Sequence, residues 1–154
     1  MKLADQMPQV ADLFVNWLYN DSGNLPIITI GGYDLPVTKE KALPAYIHLF
    51  TFADSRCIKS LQSEALKQIV RFYSRMDFFV LEPTLCLVYD ITPPKCRLRD
   101  FMARAWYYHQ MRRQASTTGQ VAELARRDAE FGEDLVLAIA GWAARQWAVS
   151  DNGF

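Results

Sequence analysis

The chain has 154 residues and 17.7 kDa, half of them apolar and about a fifth charged, an ordinary globular composition that excludes a disordered chain. Lysine plus arginine equals aspartate plus glutamate at 17 each, so no net charge draws it to nucleic acid or anionic lipid. No apolar run approaches the ~20 residues of a membrane span, and the N-terminus lacks the pattern of a secretory signal.

Charge is uneven along the chain. Residues 56–113 carry 11 bases and 5 acids, whereas residues 1–55 and 114–154 each carry 3 bases and 6 acids. Such polarity suits self-docking or a charged partner.

Pro8 opens the first element. Val10, Leu13, Phe14, Trp17 and Leu18 follow at spacings of three and four, the apolar face of a helix from Pro8 to Tyr19. The turn formers from Asn20 to Asn24 end it. Leu25 to Val37 holds the β-branched run Ile27–Ile30 between Pro26 and Pro36, which reads as a short strand or extended loop. Pro44 then opens a helix, Ala45 to Asp54, that is apolar nearly all round and belongs in the middle of a domain.

A third helix carries Ile58, Leu61, Ala65, Ile69 and Phe72 on one stripe, widened by Leu66, Val70 and Tyr73. Lys59, Gln62, Lys67 and Arg71 take the wet side. Asp77–Leu81 is an apolar connector. Glu82-Pro83 starts a short helix through Leu85, Val88 and Tyr89, stopped by Pro93-Pro94 because proline cannot continue a helix. Leu98, Phe101, Met102, Ala105 and Trp106 define a fifth helix reaching Arg113. Ser116–Gly119 breaks the chain, and Thr117 with Gln120 has the spacing of a capping box. From Gln120 to Val149 the pattern is helical again, with Val121, Leu124, Phe131, Leu135, Ile139 and Trp142. Gly132 is expected to divide it. The fold class is all-α, a bundle of six to seven helices forming one domain over 1–154, with 114–149 as a C-terminal extension.

The three cysteines, Cys57, Cys86 and Cys96, form no CxxC pair and read as reduced thiols, mostly buried. That points to an intracellular place, cytoplasmic or nuclear. His48 and His109 are the only histidines and lie far apart, so a zinc site would need scattered ligands to converge. No phosphate loop, HExxH or GxSxG occurs. His48 sits in an apolar helix, and His109 near a helix end beside Arg112 and Arg113. We therefore expect no catalytic residue, no metal and no cofactor.

Binding signals concentrate in Lys95–Arg113. Arg97, Arg99, Arg104, Arg112 and Arg113, with Tyr107 and Tyr108 among them, are the candidate partner-binding residues. An acidic protein surface suits them, and the chain's own Glu123, Asp128, Glu130, Glu133 and Asp134 are available to meet it. One alternative is a helical nucleic-acid binder, with these bases on phosphates and the aromatics stacking. Another is a small enzyme assembled around His48 or His109. Met76, Phe78, Phe79, Trp142 and Trp147 read as core, and Trp106 as packing inward.

Four stretches in order resemble a family. Val10–Tyr19, ending in Trp-Leu-Tyr, is similar to the corresponding helix of fungal BTB/POZ proteins. Tyr46–Asp54 resembles their helix ending in Phe-Ala-Asp, and Ile58–Ala65 the helix after it. Leu87–Pro94 with Leu98-Arg99-Asp100 resembles the later Tyr, Thr-Pro and Leu-Arg segment. The likeness covers residues 8–113, the helical half of such a domain. The strand-rich half that precedes it there has no counterpart in the seven residues before Pro8, and the stretch Leu25–Val37 is longer than the family's turn.

The resemblance implies a protein-interaction module, often a homodimer and sometimes an adaptor for a cullin-type ubiquitin ligase. The cullin would approach the helices Pro8–Tyr19 and Ile58–Tyr73. It also makes Trp17, Leu18, Phe50, Phe52, Leu61 and Ala65 core contacts. Helices that normally pack on a sheet must bury their faces elsewhere. The C-terminal helices and self-association are expected to share that task.

Overall fold

The computed structural model describes residues 8–20, 23–25, 39–75, 82–113 and 129–151, without the side chains of 39–42, 75, 82, 109–113 and 143–151. Six helices and no strand occur among them: α1 Pro8–Tyr19, α2 Lys39–Ser55, α3 Lys59–Arg75, α4 Glu82–Ile91, α5 Arg97–Arg113 and α6 Ala129–Asp151. The protein is all-α. The expected strand or loop over 25–37 lies outside the described residues except for Leu25, as do the connector 77–81, Met76, Phe78, Phe79 and the capping box at Thr117. The chain divides into two compact units, 1–78 and 79–154, where the sequence reading has one domain with an extension from 114.

In the first unit α2 is central, packing on α3 along its length and on α1. Its apolar circumference requires this: Leu43, Ala45, Tyr46, Ile47, Leu49, Phe50 and Ala53 are all buried. Leu61, Ala65, Ile69, Phe72 and Tyr73 come from α3, and Val10 and Leu13 from α1. The helix starts at Lys39, five residues before Pro44, so that proline is inside the helix and not at its entry. The missing N–H costs one hydrogen bond to Glu40, but burial of Leu43 draws the preceding turn into the helix, as tertiary packing commonly overrides propensity.

The end of α1 is tied down by its own turn. Gly23 sits at φ 63°, a conformation glycine adopts without a Cβ penalty, and its N–H donates to the Asn20 carbonyl at 2.8 Å. Trp17 Nε1 donates to the Gly23 carbonyl at 2.9 Å, which leaves Leu25 buried at the start of the next stretch.

The end of α2 shows the double hydrogen bond of a Schellman cap. Ile58 N–H donates to the Ala53 carbonyl at 2.9 Å and Cys57 N–H to the Asp54 carbonyl at 3.0 Å. The cap places Cys57 at φ 57°, where a Cβ is strained, and exposes it. Cys86 and Cys96 are half-buried, so none of the three thiols is the buried apolar group expected of them. Cys57→Gly should therefore raise the unfolding free energy by about 0.5–1 kcal/mol, the left-handed strain outweighing the added chain entropy. Urea unfolding checks this; an unchanged or lower midpoint contradicts it.

In the second unit α6 packs on α5, and α4 on α5. Phe131, Leu135 and Ala138 of α6 are buried, as are Leu98, Met102, Ala103 and Trp106 of α5 and Leu85, Val88 and Tyr89 of α4. Phe131 meets Tyr89 and Trp106 edge-on, with ring centroids 5.4 and 5.7 Å away. Gly132 does not divide this helix, which runs through it from Ala129. The ~1 kcal/mol penalty of one helical glycine is smaller than the ~1.5–3 kcal/mol from burying each large apolar neighbour. Residues 120–128 lie outside the described part.

Candidate interaction surface

Arg99 sits in the first turn of α5, yet only 3% of it is exposed. Its guanidinium is bound on every side. Nε donates to Thr92 Oγ1 at 3.1 Å and Nη2 to the Tyr89 carbonyl at 2.8 Å; further bonds reach the Thr92 carbonyl and the Glu130 carboxylate. The Tyr89 ring lies below it, 4.7 Å from the guanidinium carbon. The Thr92 hydroxyl donates to the Val88 carbonyl at 2.6 Å, which leaves its oxygen lone pairs to accept from Arg99. Tyr89 Oη donates to Asp134 at 2.8 Å.

Two acids at the start of α6 thus fasten that helix to α4 and the α4–α5 turn. Among the described residues the basic segment and the acidic tail meet at one ion pair, Arg99 and Glu130. Arg99 is therefore a structural clamp and is withdrawn from the partner-binding group.

The other candidates are placed differently. Arg97 is exposed, and Arg104 is exposed but paired with Asp100 one turn before it at 2.8 Å, an arrangement typically contributing about 0.3–0.5 kcal/mol. Tyr107 is half-buried and packs edge-on to Trp142 at 6.0 Å, while Tyr108 is half exposed. Trp106 packs inward as expected. The side chains of His109, Arg112, Arg113 and Trp147 lie outside the described residues.

A different surface stands out. Between Asp134 and Arg145 the chain carries no charge. One side of this stretch faces α5; the other exposes Val136 at 64% and Leu137 at 68%, with Ala140 and Gly141 also exposed and Ile139 and Trp142 at the border. Apolar side chains this open and this close together mark contact surfaces more often than free surface. The helical pattern from 120 on pointed to the buried side only. The outer side was legible from the same run, because a helix apolar all round cannot bury both faces against one neighbour.

A smaller patch lies on α1. Val15, Leu18 and Tyr19 are exposed, Leu18 at 55%, so Leu18 is not the core contact expected. Trp17 and Phe52 are half-buried, while Phe50, Leu61 and Ala65 are core. Phe14 bridges the two helices, edge-on to Phe52 at 5.3 Å and stacked beside Trp17.

The first unit also buries polar groups that periodicity did not single out. Glu64 and Gln68 of α3 point into the interior, and Gln68 Nε2 donates to Glu64 Oε1 at 2.6 Å and to the Leu25 carbonyl at 3.4 Å. Lys67 Nζ reaches Glu64 Oε2 at 3.1 Å. Burial, and after it the charge of Glu64, pushes the Tyr46 phenol well above its ordinary range. The spacing 61, 64, 65, 68, 69, 72 does put both polar residues on the inner stripe, which is the signal that finds them.

His48 is half-buried on α2, and desolvation lowers its pKa below the ordinary value near 6.5. The unfolded chain then takes up the proton first as pH falls. The His48 contribution is full above the pKa of the unfolded chain and is lost as pH falls from there to the lowered pKa of the folded state. The melting temperature should accordingly fall more between pH 7 and pH 5 for the native chain than for His48→Leu. Equal slopes contradict the assignment.

Among the described residues no group of three or more His, Cys, Asp or Glu could hold a metal ion, and no helix is long and apolar enough to cross a membrane. No family model, curated protein or solved structure matches the chain.

Proposed function

We propose that this chain is a non-enzymatic protein-interaction module whose docking surface is the outer face of α6. The exposed, uncharged stretch around Val136 and Leu137 carries this reading. A helix fastened on one side by the Arg99 clamp and Phe131, and apolar on the other, is built to present that other side. The nucleic-acid alternative is weakened by the burial of Arg99 and the pairing of Arg104.

The resemblance to the helical half of fungal BTB/POZ proteins agrees with such a role, and its motifs fall on α1 to α5. As a second reading, the adaptor role it implies would use Val15, Leu18 and Tyr19 of α1, which are exposed. Failure of an isolated cullin N-terminal domain to bind the chain removes that reading.

The test of the main reading is the double substitution Val136→Lys, Leu137→Lys. Both positions are exposed, so the melting curve should stay within about 0.5 kcal/mol of native. Polypeptides recovered with the chain after chemical crosslinking should disappear. Recovery of the same polypeptides by the folded variant overturns the reading.

A further inference from the structure

Glu133, Leu137, Gly141 and Arg145 follow one another at intervals of four, forming a single inclined row on α6. Glu133, Leu137 and Gly141 are exposed. The order of this row has a symmetry of its own. It runs acid, large apolar, no side chain, base, about 18 Å from first to last at 1.5 Å per residue. Read backwards, it is its own complement.

Gly141 makes the pattern more than composition. A glycine inside a helix costs roughly 1 kcal/mol against alanine, and is retained where something must approach the backbone closely. Among the described residues nothing does: a Cβ placed on Gly141 meets no atom within 4 Å. The close approach that the glycine permits is left to another molecule.

We infer that α6 pairs antiparallel with α6 of a second copy of this chain, with Leu137 of each copy seated on Gly141 of the other. The two-fold axis passes at the level of Ile139. It sets the Glu133 position of each copy level with the Arg145 position of the other, so acid and base fall in register at both ends. Leu137 then covers the bare backbone at Gly141 twice, and Val136 and Ala140 flank the crossing. An interface of this kind is isologous and closes as a dimer, which a heterologous contact need not do. Ridges at spacing four packed against one another are the commonest way for helices to cross. This inference rests on the reading of α6 as a docking face and names its occupant.

Sedimentation equilibrium of the full chain over a concentration series tests it. The native chain should dimerise. Glu133→Arg alone, and Arg145→Glu alone, should each weaken the dimer about tenfold or more, because like charges then face each other at both ends. The two substitutions together should restore it, since the acid and base have merely exchanged places.

Gly141→Leu should abolish the dimer by filling the space that Leu137 needs, and should raise the melting temperature measured at concentrations where both chains are monomeric, because leucine favours a helix. A variant that simply failed to fold would do the opposite. A native chain that stays monomeric at its highest soluble concentration overturns the inference, as does a double charge exchange no tighter than its single parents. Either result leaves the broader docking reading to be decided by whether Val136→Lys, Leu137→Lys loses its crosslinked partners.

Discussion

Arg99→Ala should cost the second unit about 3 kcal/mol, a large share of the ~5–15 kcal/mol that holds a domain folded. The loss does not come chiefly from the ion pair. Glu130 is more than half exposed and remains hydrated when its partner goes, so that contact alone contributes little. What remains behind is buried: the Tyr89 and Thr92 carbonyls and the Thr92 hydroxyl lose their donor together, each at roughly 1–3 kcal/mol before relaxation. The urea midpoint followed through tryptophan fluorescence should drop by about 2 M, taking a slope near 1.5 kcal/mol/M. Glu130→Gln should shift it far less. Similar shifts for the two variants would contradict the clamp.

Phe131→Ala should be as damaging or more, at about 3–5 kcal/mol. The ring is fully enclosed and holds edge-on contacts with both Tyr89 and Trp106, so its removal opens a cavity that α4, α5 and α6 all line. Six residues along the same helix, Leu137→Ala should change the monomer's stability by no more than about 0.5 kcal/mol. This contrast between two large apolar residues on one helix distinguishes the inner face from the outer. A loss below about 1.5 kcal/mol at Phe131 would contradict the packing described.

Much of the helical frame follows from local rules. The limits of α1 and α4 were legible because prolines and turn formers bracket short apolar patterns, and a bracketed pattern leaves little choice of register. Pro44 and Gly132 misled for a common reason. Both are poor helix residues by local preference, and both lie beside residues whose burial outweighs that preference: Leu43 in one case, Phe131 and Leu135 in the other.

Side-chain roles were less legible than helices. Arg99 stands among solvated arginines in sequence, and nothing local separates it from Arg97 or Arg104. The last turn of α4, the turn after it and the first turn of α6 supply its acceptors, and their placement is set by tertiary structure. Cys57 is exposed because the cap of α2 needs a left-handed residue where the sequence has no glycine. The outer face of α6 is the reverse case. Its apolar composition was visible, but the periodicity from Gln120 points to the buried side only, and the described second unit provides no neighbour for the outer one.

The most direct measurement places a photo-crosslinking amino acid at Leu137 in one version of the chain and at Lys59 in another, both exposed positions. Irradiation in cells should join the chain to polypeptide from position 137 and not from position 59, and an adduct of twice the chain's mass identifies a second copy. Equal yields at the two positions, or none at 137, would contradict a docking face on α6.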